Sequence, residues 1–136
     1  MLATEPIQFR KIRIMLIDDS MILLREAISF LQGHPAVEII DSVFKAADAV
    51  KGVQDILPDV VLLDVTVHGV HGLPVIGQLH ADAPELPVIV LDQVLFDPVR
   101  RDALARGAAA FVTKASAKTH LLSAILAVVS PDARNA

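Results

Sequence analysis

Apolar positions along the chain fall into two patterns. Short runs rich in Val, Ile and Leu recur at 12–17, 37–43, 59–63, 88–91 and 109–113. Runs of this length, bounded by polar or turn residues, read as β-strands, and the near-continuous ones as strands buried on both faces. Between them the apolar residues recur at three- and four-residue steps, the period of a helix. Ser20 is placed to cap a helix through MILLREAISFLQ. A second helix is expected over 46–56, stopped by Pro58. A third, over 73–80, is interrupted by Pro74 and Gly77. Asp97 followed by Pro98 predicts a cap and first turn, with the helix ending at Arg106 and Gly107. Ser116 is expected to open the last helix, which runs to Val129.

Strands alternating with helices of this length predict a parallel sheet with helices on both faces. All strands of such a sheet point the same way, so their C-terminal ends share one rim. Three of the runs end on acids: Asp18 and Asp19 after IRIMLI, Asp64 after DVVLL and Asp92 after VIVL. One acid after a strand is ordinary helix capping. Three that each follow an apolar run point to a rim that wants negative charge, where open α/β sheets hold their ligands.

Composition narrows the class. The 136 residues are 54% hydrophobic and 21% charged, which suits one domain with a real core and is too apolar for a disordered chain. The formal charge of -4 argues against a nucleic-acid surface. The absence of cysteine excludes a disulfide framework and thiolate metal ligands. MLATEPIQFRK lacks an apolar stretch of signal-peptide length. No run reaches the roughly 18 apolar residues of a membrane span. The expectation is a cytoplasmic domain with no membrane contact: an N-terminal extension over 1–11, the domain over 12–130 and a tail over 131–136.

Carboxylates gathered within a few ångströms repel one another unless a cation joins them. A hard divalent ion such as Mg²⁺ takes oxygen ligands and is the natural occupant. Beside it a carboxylate can act as nucleophile toward a phosphoryl group, with a lysine to neutralise the charge on the phosphoryl oxygens. Lys114, directly after the fifth run, stands on the same rim. An exposed solubilising lysine is the plain alternative.

The pair at 18–19, VVLLD at 60–64, the glycines of HGVHG and GAAAFVTK at 107–114 resemble the response-regulator receiver domains, the CheY-like family. The likeness covers roughly 12–129, and GAAAFVTKAS and DSMILLREAISFL are most similar to the NarL/FixJ branch. It implies a flavodoxin-like (βα)5 three-layer sandwich with a five-stranded parallel sheet. It also implies a domain of two-component signal transduction that is no enzyme beyond phosphorylation and dephosphorylation of itself. A histidine kinase or phosphotransfer protein would donate phosphate to Asp64. Asp19 would bind Mg²⁺ directly and Asp18 mainly through water, with the Thr66 carbonyl as a further ligand. Lys114 would contact the phosphoryl group, and Phe111 stands at the family's switching aromatic.

The likeness fails at one place. Receivers carry Ser or Thr at the end of the fourth strand, followed by a small residue. This chain has Asp92 and Gln93, and no hydroxyl residue lies between 88 and 112. A doubly charged phosphoryl group about 4 Å from Asp92 would be disfavoured by roughly 2 kcal/mol in water and roughly 8 at an intermediate dielectric. If Asp92 instead caps the loop or pairs with Lys114, the hydroxyl is still missing. His68 and His71 depart too, as loop histidines or a transition-metal pair, and Ala115 replaces a frequent proline. Three readings follow: a phosphorylation-driven receiver with impaired chemistry, a degenerate receiver acting as a phosphorylation-independent interaction module, and a haloacid-dehalogenase-like phosphotransferase. The last lacks its second acid, because Thr66 occupies that position. NarL-type receivers precede a DNA-binding output domain, which the residues after Val129 are too few to form, so any DNA contact needs a domain beyond this sequence. Leu121, Leu122, Ile125, Leu126 and Val129 form a stripe suited either to a homodimer or to the core.

Overall fold

The structure, a computed structural model, describes residues 10–17, 25, 29–43, 48–65, 69–93 and 96–129. Its centre is a sheet of β1 (Ile12–Ile17), β2 (Val37–Val43), β3 (Val60–Asp64), β4 (Val88–Asp92) and β5 (Ala110–Thr113). Every pairing is parallel and the order is β2-β1-β3-β4-β5. Four helices have described bounds: α1 (Ala49–Ile56), α2 (Gly69–Asp82), α3 (Asp97–Ala105) and α4 (Lys114–Val128). Residues 25 and 29–31, between β1 and β2, are also helical. This is the parallel sheet expected from the alternation of runs, in the flavodoxin-like form implied by the resemblance.

Both faces of the sheet are covered. Ile12, Ile14, Leu16, Val60, Leu62, Ile89 and Leu91 pack with Leu31 and with Ala117, Leu121 and Ile125 of α4. The alternate residues Met15, Ile17, Val61, Leu63, Val88 and Val90 pack with α1, α2 and Ala103 of α3. Period-two alternation sends successive side chains to opposite faces, and an acceptable core on each side requires both sets to be apolar. The central strands therefore read as unbroken aliphatic runs. At the edge, the β1–β2 register slips by one between Ile14 and Met15, which leaves Ile40 as an extra residue on β2.

Several boundaries differ from those expected. The third helix runs from Gly69 to Asp82, straight through Pro74 and Gly77. Pro74 is exposed, while Leu73, Val75, Ile76 and Leu79 are buried, so packing outweighs one missing backbone hydrogen bond. Phe96, not Asp97, caps α3, and Asp97 lies in its first turn, where its charge still suits the helix dipole. The last helix begins at Lys114 with Thr113 as its cap, not at Ser116. Thr113 Oγ1 accepts the Ser116 backbone N–H at 3.3 Å, and the two hydroxyl oxygens lie 2.8 Å apart. Of the apolar stripe on α4, Leu121, Ile125 and Val129 belong to the core, while Leu126 stays exposed.

An ion pair fixes the entry of the chain into β1. Arg10 donates to both carboxylate oxygens of Asp59, at 3.0 and 3.1 Å, and the Arg13 backbone N–H donates to Asp59 Oδ2 at 2.8 Å.

Candidate functional site

In a sheet of order 2-1-3-4-5 the connections leave β1 and β3 in opposite directions, which opens a crevice at the C-terminal ends of those strands. Asp64 ends β3 beside that crevice. Its register partner on β4 is Leu91, and the preceding Leu63 lies beside Ile17, the last residue of β1. Asp64 is the only charged residue in the buried set among those described, and its side chain is 1% exposed. A carboxylate so enclosed costs several kcal/mol unless it is paired. Lys114 supplies the pairing: Nζ donates to Asp64 Oδ2 at 3.1 Å from a side chain 10% exposed.

The local fold makes that meeting possible. The Thr113 cap starts α4 immediately after β5, so Lys114 becomes its first residue. A cation there opposes the helix dipole, which favours anions at that end. The Asp64 carboxylate offsets this. On the other side, Gly72 admits α2 next to the end of β3: a Cβ there would lie 3.0 Å from Val65 Cγ1 and 3.8 Å from the Asp64 carbonyl oxygen.

Asp92, at the end of β4, is half-buried, and its Oδ1 accepts the Gln93 backbone N–H at 2.7 Å. Lys114 pairs with Asp64 rather than with Asp92, which settles one of the alternatives posed for the third acid. Asp92 is in register with Thr113, and Val90 with Phe111. Strand alternation puts Asp92 on the Val88 and Val90 side, where Phe111 packs half-buried, whereas Asp64 follows Val60 and Leu62 on the other side. The two acids stand on diagonal positions of neighbouring strands.

Asp18, Asp19, Thr66 and His68 lie outside the described residues, and of His71 only its place in α2 is described. In the sequence the Asp18–Asp19 pair directly follows Ile17, the residue of β1 that pairs with Leu63. The cap formed by Thr113 and Ser116 was missed by sequence reasoning, although a Thr followed three residues later by a second polar group is the spacing of a capping pair. A cavity of about 290 Å³ lies elsewhere, lined by Lys11, Leu31, Gln32, Gly33, Val37, Glu38 and Ile39, at the starts of β1 and β2.

A family model, the response regulator receiver domain, matches residues 14–126. The glycerol metabolism activator of Pseudomonas putida is 34% identical over 113 residues, covering 81% of this chain and 51% of that protein. The transcriptional regulatory protein LiaR of Bacillus subtilis is 27% identical over 116 residues, covering 85% and 55%. A protein-glutamate methylesterase/protein-glutamine glutaminase of Alkalilimnicola ehrlichii is 29% identical over 106 residues, covering 76% of this chain and 27% of the enzyme. The chain thus spans about half the length of the two regulators and about a quarter of the enzyme. Among solved structures, the signal receiver domain of the response regulator NarL from Mycobacterium tuberculosis superposes with a TM-score of 0.78 at 25% identity, covering 87% of this chain and 95% of that one.

Sheet order, rim chemistry and these matches agree on a class: a flavodoxin-like signalling domain. The chain belongs to the response regulator receiver family, and its setting is two-component signal transduction.

Proposed function

We propose that this domain is a receiver whose phosphoryl-acceptor position is Asp64, with Lys114 as its charge partner, and that Asp92 and Gln93 make it a poor acceptor. The observation that carries the reading is the enclosed Asp64–Lys114 pair at the sheet's switch point. A phosphoryl donor, either a histidine kinase or a phosphotransfer protein, would lose its phosphoryl group to an Asp64 oxygen, the donor nitrogen keeping the electron pair of the broken bond. Lys114 would then turn from the carboxylate to the phosphoryl oxygens.

Hard oxygen ligands are what Mg²⁺ requires, and the Asp64 carboxylate is of that kind. Asp18, Asp19, Asp64 and the carbonyl of Thr66 are the residues that would hold it. When bound, it would relieve repulsion among the carboxylates and neutralise phosphoryl charge.

Asp92 opposes the product in two ways. A carboxylate cannot donate the hydrogen bond that a Ser or Thr hydroxyl gives a phosphoryl oxygen, a bond to a charged group worth about 1.5–3 kcal/mol. It also adds charge. Strand spacing and rise put diagonal neighbours about 6 Å apart at Cα. At about 7 Å between charges, repulsion of a dianion is about 1 kcal/mol in water and about 5 at a dielectric near 20. Either figure, added to the lost bond, leaves a population penalty of tenfold or more. Gln93 adds bulk where the family keeps a small side chain.

A second reading is favoured by the Asp92 contact itself. Because Asp92 Oδ1 takes the Gln93 N–H, the first residue after β4 is held by this chain's own side chain. The domain then serves as an interaction module in one constitutive state, with a homodimer through the exposed side of α4 as one outcome. No described helix is long and apolar enough to cross a membrane.

Beryllofluoride with Mg²⁺, read by fluorine NMR, tests the proposal. The unmodified chain is expected to give little or no bound signal, and Asp92→Thr with Gln93→Ala to give a strong one. Strong binding to the unmodified chain, abolished by Asp64→Asn, would refute the impairment. No binding in either chain would refute the acceptor role.

A further inference from the structure

The cavity at the starts of β1 and β2 lies at the other end of the strands from the Asp64–Lys114 pair, since Lys11 precedes β1 and Val37 opens β2. Its lining divides by exposure. Leu31 and Val37 are buried and Ile39 is half-buried, so these three make an apolar floor. Lys11, Gln32, Gly33 and Glu38 are exposed and make a polar mouth. Gly33 leaves that mouth open, because a Cβ on it would meet nothing within 4 Å. The volume of about 290 Å³ stands at the small end of ligand cavities, about 300–1,000 Å³. The turn into β2 holds the walls in place. The His34 backbone N–H donates to the Leu31 carbonyl at 3.0 Å, and His34 Nδ1 accepts the Ala36 N–H at 3.1 Å. The Ala36 carbonyl in turn accepts the Ile12 N–H at 2.8 Å, so the space is built into the chain before any ligand arrives.

The mouth carries both signs of charge. Among the described residues, neither the Lys11 ammonium nor the Glu38 carboxylate makes an ion pair or hydrogen bond, with each other or with another group. A simple anion or cation at this opening would meet one like charge, and a wholly apolar ligand would answer neither. A zwitterion answers both. We propose that the cavity binds a free α-amino acid with an aliphatic side chain. Its carboxylate would face Lys11. Its ammonium would face Glu38 and the carbonyl end of the helical residues 29–31, where a helix favours cations. The side chain lies on Leu31, Val37 and Ile39. Burial of that side chain supplies most of the affinity, and the two charges at the mouth fix which way the ligand points. This site is separate from the phosphoryl-acceptor site and does not depend on it.

The test is a titration of the full chain with L-leucine, read by the backbone N–H signals in nitrogen-15 NMR spectra. Glycine, leucinamide and 4-methylvalerate serve as comparators that lack the side chain, the carboxylate and the ammonium. Leucine is expected to shift the signals of residues 31–33 and 37–39 saturably in the millimolar range, and each comparator to bind more weakly. Lys11→Gln and Glu38→Gln change exposed side chains and so leave the fold in place. Lys11→Gln should weaken leucine about fivefold and leave leucinamide unchanged, and Glu38→Gln should weaken leucine to a similar extent and leave 4-methylvalerate unchanged. No saturable shift with leucine, or shifts confined to other residues, overturns the proposal. So does binding of 4-methylvalerate or leucinamide as tight as that of leucine, which would make this a site for apolar acids or amines. Leucine binding indifferent to both substitutions overturns it too.

Discussion

Asp64 and Lys114 show how far a single pair can be read from a sequence. Both follow apolar runs, and parallel strands bring run ends to one rim, so their meeting at 3.1 Å was foreseeable. The depth of the pair was not, because it depends on Gly72 closing α2 over the end of β3 and on Thr113 starting α4 at the lysine. Breaking an enclosed pair removes the cation that Lys114 holds against the Asp64 carboxylate. Lys114→Met is therefore expected to lower stability by about 3 kcal/mol in urea unfolding without added cation, and Asp64→Asn with Lys114→Met to recover part of it. A loss below about 0.5 kcal/mol would mean that the carboxylate is well solvated. Asp59 makes a comparable case at the other end of the sheet. It accepts from Arg10 twice and from the Arg13 backbone, and its side chain is 10% exposed, so Asp59→Ala should cost about 2 kcal/mol by the same measurement.

At the scale of elements, strands were easier to locate than the ends of helices. Aliphatic runs mark the buried strands because both faces need apolar side chains, and all five strands lie within a residue of where the runs put them, β1 and β2 at the same bounds. Helix ends depend on capping contacts between groups three residues apart, which composition does not disclose. Pro74 was read as a break, yet the buried face of α2 carries the helix past it. Among the described residues, left-handed backbone occurs at Gly33, Leu57 and Gly107. Gly107, at φ +113, leads from α3 toward β5, and a Cβ there would come within 2.7 Å of the His80 ring. Gly107→Ala is expected to cost more than about 1 kcal/mol and to lower Tm by several degrees. Leu57 ends α1 at φ 55 with its side chain 69% exposed, so a residue type that avoids this region holds it with little burial in return. Leu57→Gly should leave stability unchanged or raise it by up to about 1 kcal/mol in thermal unfolding. A clear loss would reveal a contact made by that side chain.

For the whole molecule, the strand order decides everything downstream, and hydrophobic periodicity does not contain it. An alternating strand–helix pattern allows several orders. The likeness of DD, VVLLD and FVTK to receivers implied a flavodoxin-like sheet without stating its order, and the sheet has the order 2-1-3-4-5. The order is what sets Asp64 beside β1 and puts Asp92 one strand further out, on the Phe111 side. The opening asymmetry of the chain, three strand-end acids where receivers have two such sites, then becomes a physical statement. In the proposed function Asp64 would accept the phosphoryl group, the pair after β1 would take the cation, and Asp92 would oppose phosphorylation.

Acetyl phosphate with Mg²⁺, followed by intact mass, examines that statement most directly, because Asp64 must displace acetate with no partner protein to assist. The account predicts little or no added phosphoryl mass on the unmodified chain, and clear addition on Asp92→Thr with Gln93→Ala that disappears when Asp64→Asn is also introduced. Ready phosphorylation of the unmodified chain at Asp64 would contradict it.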